Sequence, residues 1–444
     1  MISLSKYTYF CGLDSGDVCL YNSLQGISSI CVLKNINVEQ ARCILENELA
    51  TINPDNKADL KSRGHLVDNK LNETAVCNFK MADLIFGRYL YLVIYVTENC
   101  NFCCEYCFQQ HQPKSLSQKT AESIVKFVKR ELFKYQGVKI SWFGGEPLLE
   151  MDIIEEISLQ IKLACRQSKK VFWAEVTTNG YLLTPENMSR LIVCNVVDYT
   201  ITLDGLKENH DKYRHTLDGQ PSYDIIMGNL ISIRDLVHHS SVSILIRTNV
   251  TKESIMGLKK FYLTLDTLFG SDKRFSLLIK PVYDWGGTRI ENIKSVLLKD
   301  FGLDILYKIV SEFNLQLKFW GNINELEFGG KVCHACYANR WTIGIDGQVS
   351  KCDTCSPVLS VGWLADGMLI TDMATLEWSN QIFDIEGKCI SCPLRGVCLG
   401  GTCPQKRIIY GTRVCFLENG INALLSLVVN TISEEENICT ISVM

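Results

Sequence analysis

From residue 89 to about residue 314 the chain alternates short apolar runs with amphipathic stretches, and no other feature limits its fold as much. The apolar runs are 89–96, 138–143, 171–177, 197–203, 242–249 and 275–282. After the first run, Ile124, Phe127, Val128 and Leu132 recur at a helical period. Similar patterns fill 153–164, 188–193, 225–236 and 255–268, and another follows the sixth run at 297–313. Six strand–helix units in succession predict a parallel sheet covered by helices, either an open doubly wound sheet or a barrel. Both architectures bind ligands at the carboxyl ends of their strands. The end of the first strand carries Cys100-Asn101-Phe102-Cys103-Cys104-Glu105-Tyr106-Cys107.

Cys100, Cys104 and Cys107 stand in a C-x3-C-x2-C array. A loop leaving a strand can fold three thiolates around one cubane iron–sulfur cluster, which normally takes four cysteines, and one iron is then left open. A three-cysteine zinc site is the alternative, but no His or Cys completes the set at zinc-finger spacing. Adjacent cysteines are hard to seat on one cubane, which makes Cys103 a bystander, and Tyr106 sets an aromatic ring beside the cluster. One strand later comes Phe143-Gly144-Gly145-Glu146-Pro147. The paired glycines let backbone approach a ligand closely, Pro147 fixes the turn, and Glu146 can accept hydrogen bonds from an ammonium group.

C-x3-C-x2-C followed by Gly-Gly-Glu-Pro resembles the radical S-adenosylmethionine (radical SAM) superfamily. That resemblance implies a partial (β/α)6 TIM-like barrel and a 4Fe–4S cluster whose open iron chelates SAM. An electron from the cluster then cleaves the C–S bond, and the 5′-deoxyadenosyl radical abstracts a substrate hydrogen. Further matches fall at successive strand ends. Thr177-Thr178-Asn179-Gly180 resembles the family's turn beside the cofactor. Thr202-Leu203-Asp204-Gly205 with His210-Asp211-Lys212-Tyr213-Arg214 resembles a Ser-Leu-Asp-Gly…His-Asp-x-x-Arg pattern of peptide-modifying members. By that resemblance Thr202 and Arg214 meet the SAM carboxylate or ribose, and Arg247 and Asn249 form another SAM-side pair. His210 is left as an ordinary polar residue.

Beyond about residue 315 the alternation stops and cysteines take over. Cys336, Gly347 and Cys352, then Cys389, Cys392, Cys398, Cys403 and Cys415, resemble the SPASM extension, which carries two auxiliary 4Fe–4S clusters. Its nested arrangement implies Cys333, Cys336, Cys352 and Cys403 for one cluster and Cys389, Cys392, Cys398 and Cys415 for the other. Cys355 competes for the first set, a zinc ribbon is the competing interpretation, and one extra residue lies between Cys398 and Cys403. Asp353, beside a ligand, matches a base of sulfatase-maturating relatives. Residues 1–70 read as a small winged-helix-like α+β unit, with an Asn37…Gln40 helix start and a turn at 64–68. Leu20-Tyr21-Asn22-Ser23-Leu24-Gln25-Gly26 within it looks similar to PqqD-like domains, which capture a leader peptide as an added strand. The expected organisation is therefore 1–70 recognition module, 71–87 linker, 88–314 core and 315–444 auxiliary domain.

Composition limits the class further. A net charge of −4 excludes general affinity for nucleic acid or anionic membranes. No signal peptide or membrane-length apolar run is evident, so the expected compartment is the cytoplasm. There, 21 cysteines speak for metal sites rather than disulfides, with Cys11, Cys19, Cys31, Cys43, Cys77, Cys165, Cys194 and Cys439 scattered as small hydrophobes. The resemblance implies a maturase that cross-links a ribosomally made precursor peptide, foremost through a Cys thioether, with SAM, three 4Fe–4S clusters and an external donor such as flavodoxin or ferredoxin. Formylglycine formation, carbon–carbon cross-linking, and a non-catalytic iron–sulfur or zinc protein are the competing expectations.

Overall fold

The computed structural model describes residues 2–285, 287–298, 302–354, 359–380, 387–400, 403–411, 415, 417, 420–432 and 439–442. The N-terminal unit opens with β1 (Ile2–Leu4), β2 (Thr8–Gly12), β3 (Val18–Asn22), β4 (Cys31–Lys34) and β5 (Leu66–Asp68). Strands β2, β3 and β4 form an antiparallel meander, and β1 pairs with β5. The helix Val38–Asn47 starts at the expected capping box, in which the Asn37 side chain accepts from Gln40 N and the Gln40 side chain accepts from Asn37 N. Phe10, Val18, Leu20 and Leu33 pack with Leu45 and Leu60 of the helices, while Cys11, Cys19, Tyr21 and Val32 join the main core.

His65 is fully buried in this unit, with Nε2 2.7 Å from Ser29 O and Nδ1 3.2 Å from Thr8 Oγ1. Burial lowers its pKa to about 4. The unfolded chain takes up a proton near pH 6.5 and the folded chain only near 4, so stability falls as pH drops through that window. The full loss is about 3 kcal/mol. Denaturation of the whole protein between pH 7 and 4, compared with His65→Gln, isolates this contribution; parallel curves for the two proteins would refute it.

The stretch expected to be a linker is a helix. Glu73–Phe86 is capped by Asn72 and buries Cys77, Met81 and Ile85 against Val332, Cys336 and Leu399. The N-terminal unit is therefore joined to the cysteine-rich region by packing, not by a tether.

The six expected strands are all present, as β6 (Tyr89–Thr97), β7 (Gly137–Gly144), β8 (Val171–Thr178), β9 (Val196–Thr202), β10 (Ser243–Val250) and β11 (Phe275–Pro281). All five contacts between successive strands are parallel, and the spatial order follows the chain order without reversal. A doubly wound sheet reverses its order at a switch point; this one does not. It is the expected partial barrel, left open because β6 and β11 do not pair. On β8 and β10 burial alternates: Ala174, Val176, Ile244 and Ile246 are buried, while Glu175, Thr177, Arg247 and Asn249 line the lumen. The lumen is hollow, and it mixes these polar side chains with aromatic ones such as Phe102 and Phe143.

The region after 315 is not a self-contained appendage. β12 (Arg340–Ile343) lies parallel to β6, and β13 (Gln348–Ser350), β14 (Ser360–Ala365) and β15 (Met368–Thr371) continue antiparallel, giving one ten-stranded sheet. The expected helix over 297–313 is shorter, Leu303–Ser311, and packs against Ile421–Ile432. The last strand, β16 (Cys439–Ser442), returns to the N-terminal sheet beside β4. No helix among the described residues is long and apolar enough to cross a membrane.

Candidate active site

At the carboxyl end of the barrel strands a cavity of about 470 Å³ is lined by Cys100, Cys104 and Cys107 on one side. Backbone bonds set the cysteine loop in place. Cys103 N and Glu105 N donate to His215 O (2.9 Å) and Tyr213 O (3.0 Å), and Leu217 N donates to Asn101 O (3.0 Å). Gly145 N donates to Thr97 O and Glu146 N to Asn99 O, both at 2.9 Å. The loop is thus stitched to the end of β7 and to the segment 213–217 at the end of the helix Lys207–Tyr213. Cys103 does not line the cavity.

The paired glycines have a different partner from the one expected. A Cβ on Gly144 would stand 2.2 Å from Thr97 O, and one on Gly145 would stand 2.1 Å from Asn99 O. Their bareness admits the backbone of the cysteine loop rather than a ligand alone, although both also face the cavity. Gly145→Ala is therefore expected to push the loop away and to lose roughly a third of the iron taken up on reconstitution, the share of the cluster held by that loop, measured as iron and sulfide per chain. Retention of wild-type iron would contradict this.

Glu146, expected to accept from an ammonium group, has protein donors around it. Its carboxylate is fully buried and accepts from Leu148 N (3.0 Å), Thr178 Oγ1 (2.7 Å) and Asn179 N (2.7 Å). It ties the β7 turn to the end of β8, and like Pro147 and Asp204 it is not among the residues lining the cavity. Asn179 lines the cavity and donates from Nδ2 to Asn101 Oδ1 (2.8 Å), another link to the cysteine loop.

Across the cavity, Tyr106 organises the charged wall. Its hydroxyl donates to Asp204 Oδ2 and accepts from Arg214 Nη1 (2.9 Å) and Asn249 Nδ2 (3.3 Å). Asn249 N donates to Asp204 Oδ1 (2.7 Å), and Arg247 Nε donates to Asn249 Oδ1 (2.9 Å). Arg214, Arg247, Thr202 and Asn249 all line the cavity. Burial opposes the charge on Arg214, but Cys104, Tyr106 and Asp204 outweigh it and hold its pKa well above the ordinary value. Two guanidiniums face one carboxylate here, and Arg214 Nε is buried with no hydrogen-bond partner. A buried surplus of positive charge with an unfilled donor suits an anionic ligand group such as a carboxylate.

His210, left out of the expected site, holds this wall from behind. Asp204 N donates to His210 Nδ1 (3.1 Å), His210 Nε2 meets Ser222 Oγ (3.0 Å), and Ser222 Oγ donates to Arg214 O (2.7 Å). Burial keeps the imidazole neutral. Gly287 is a second omission: a Cβ there would stand 2.1 Å from Cys107 O. The Gly286-Gly287 pair after the sixth strand repeats the Gly144-Gly145 pattern and was the available signal.

The cysteine-rich region meets the same cavity. His334, Asp353 and Thr354 line it, and Asp353 pairs with the buried Arg340 (3.4 Å). Cys333, Cys336 and Cys352 are electrostatic neighbours, and Cys403 neighbours Cys336 and Cys352. Cys355 lies outside the described residues. Cys389, Cys392, Cys398 and Cys415 together line a second cavity of about 390 Å³. Burial pushes the Cys100, Cys104, Cys336 and Cys398 thiols up to about 12, so metal ligation there displaces protons. Among the described residues no three His, Cys, Asp or Glu side chains close around one ion. Cubane ligands go one to each iron, and the three thiols accordingly border a cavity rather than a point.

Residues 94–262 match the family described as the Radical SAM superfamily. The barrel is a radical SAM domain. Its chain spans about half the length of the first curated relatives it matches: it is 27% identical over 175 residues to the GTP 3′,8-cyclase of Klebsiella pneumoniae (strain 342), covering 36% of this chain and 51% of that one. It is 29% identical over 327 residues to the cysteine-type anaerobic sulfatase-maturating enzyme of Clostridium novyi (strain NT), covering 69% and 85% of the two chains. The radical SAM fold also matches the structure of anSMEcpe with AdoMet and a Cp18Cys peptide (TM-score 0.59, 19% identity, 77% of this chain and 99% of that one). Streptococcus suis SuiB bound to precursor peptide SuiA matches over 92% of this chain and 97% of its own (TM-score 0.50, 17% identity). The radical SAM fold supports one iron–sulfur cluster, and the three thiols, the cavity size and the unpartnered Arg214 Nε fit a cluster with a carboxylate-bearing cofactor beside it.

Proposed function

We propose that this protein is a radical SAM maturase that cross-links a precursor peptide, forming a thioether from a Cys sulfur to carbon. One observation supports this above the others: a single cavity joins the Cys100, Cys104 and Cys107 thiols to His334, Asp353 and Thr354, which flank the Cys333–Cys336–Cys352 set. A substrate held there lies between two sets of metal-binding thiols. Loaded with a 4Fe–4S cluster and SAM, the barrel has the means for one-electron C–S cleavage and hydrogen-atom abstraction.

The chain's own residues have separable tasks. Cys100, Cys104 and Cys107 hold the cluster, and Arg214 and Arg247 orient the cofactor's carboxylate. Tyr106 and Asn249 fix the direction of those guanidiniums. Cys333, Cys336, Cys352 and Cys403 hold one auxiliary cluster, and Cys389, Cys392, Cys398 and Cys415 a second. Asp353 stands where a proton from the substrate can be taken up. The N-terminal sheet receives the leader peptide, and a flavodoxin or ferredoxin in the cytoplasm supplies electrons.

The similarity to a sulfatase-maturating enzyme over 327 residues favours formylglycine formation as a second reading. The two separate in one experiment. The reconstituted protein, reduced with dithionite, is expected to release 5′-deoxyadenosine from SAM. Co-expression with a precursor peptide encoded beside its gene is expected to give a product lighter by two hydrogens per link. The mass of formylglycine in place of Cys would support the second reading, and absence of 5′-deoxyadenosine would end both.

A further inference from the structure

β16 is four residues long, yet its place is fixed by the opposite end of the chain. It lies parallel to β4, with Cys439 opposite Cys31, Thr440 opposite Val32, Ile441 opposite Leu33 and Ser442 opposite Lys34. Ile441 is 1% exposed and enters the apolar cluster of Leu20, Leu33, Leu45 and Leu60. Cys439 packs against that cluster, hydrogen-bonds with the Cys31 thiol and approaches Asp59 of the helix Pro54–Ser62 (3.9 Å). Thr440, between them, is exposed. The strand therefore occupies a groove between the β4 edge and that helix. Main-chain pairing runs along one side, and an apolar pocket reads alternate side chains.

This is the geometry by which an extended peptide is recognised: the sheet edge binds any backbone, and the pocket selects the side chain. The meander does not need β16 to be complete. β4 is paired through β3, and the cluster is built from residues 4–66 apart from Ile441 and Cys439. An uncovered β4 would be an open edge, which proteins cover to prevent unwanted pairing.

We propose that β16 is the chain's own stand-in on the peptide-docking edge, and that the leader segment of the substrate displaces it. The proposal rests on the peptide-maturase reading and deepens it. The displacing segment is extended and carries an aliphatic residue in the place of Ile441, a small side chain in the place of Cys439 and a polar residue between. The tail thereby keeps the edge closed until a peptide with that pattern arrives.

The test uses a dye-labelled synthetic peptide with the sequence of residues 437–444, Asn-Ile-Cys-Thr-Ile-Ser-Val-Met, kept reduced and followed by fluorescence anisotropy. The chain ending at Ile432 is expected to bind it. The intact chain, whose tethered strand competes at high effective concentration, is expected to bind about tenfold more weakly or less. Ile441→Asp in the full-length chain places a charge in the apolar pocket and is expected to restore binding; Ile441→Asp in the peptide is expected to abolish it. Equal binding by intact and Ile441→Asp chains, or no binding by either opened chain, overturns the proposal. Neither result alters 5′-deoxyadenosine release, which tests the reading beneath it.

Discussion

Replacing Cys100, Cys104 or Cys107 singly by Ala is expected to reduce 5′-deoxyadenosine release to background, whereas Cys103→Ala keeps it. The distinction follows from placement. The three side chains border one cavity, and Cys100 and Cys104 are buried there. Cys103 does not border it, and its backbone is drawn to His215 O instead. A cubane deprived of one of three protein ligands exposes a second iron to solvent and is lost. Iron content separates this from a purely catalytic defect. With the two auxiliary clusters proposed above, each of the three variants should lose roughly a third of its iron, and Cys103→Ala none. An inactive Cys103→Ala protein with normal iron would show that the ligand set was chosen wrongly.

The barrel was legible because its strands are apolar runs in regular succession, and each found its place within two residues of the expected bounds. The extension of its sheet to ten strands was not. Parallel pairing of β12 with β6 joins Arg340 to Tyr91 across the chain, and nothing local in either segment announces the other. The same holds for β16 on β4. The helix Glu73–Phe86 is a different case. Its buried Cys77, Met81 and Ile85 recur at four-residue spacing, a helical stripe visible in the sequence but outweighed by the polar residues around it. At the site, the motifs located the strand ends where Asn179, Thr202, Arg214, Arg247 and Asn249 meet. They did not tell which side chains face inward. Glu146 and Asp204 turn into the wall because backbone N–H groups brought there by folding satisfy them. His210 works through Ser222, whose position depends on the loop between them.

Glu146 gives the sharpest separation between holding the wall and binding the cofactor. Its two oxygens accept three hydrogen bonds, from Leu148 N, Thr178 Oγ1 and Asn179 N, with no exposure to solvent. Burial raises its pKa above the carboxylate norm, and the three donors oppose that shift. In Glu146→Gln one carboxylate oxygen becomes an NH2 facing a donor, so a charge-assisted bond is replaced by a clash of donors. A hydrogen bond to a charged group contributes about 1.5–3 kcal/mol, and the stranded donor adds desolvation, so the expected loss of stability is about 2–4 kcal/mol. Glu146→Ala strands all three donors, and the expected loss is about 3–6 kcal/mol. Both would appear as lower denaturation midpoints, with activity falling because Asn179 and the Gly144-Gly145 turn shift against the cysteine loop. Were Glu146 instead a partner for an ammonium group, Glu146→Gln would weaken SAM binding and leave the denaturation midpoint unchanged. Equilibrium denaturation beside SAM titration of the reconstituted protein distinguishes the two, since only a wall residue lowers stability in the absence of SAM.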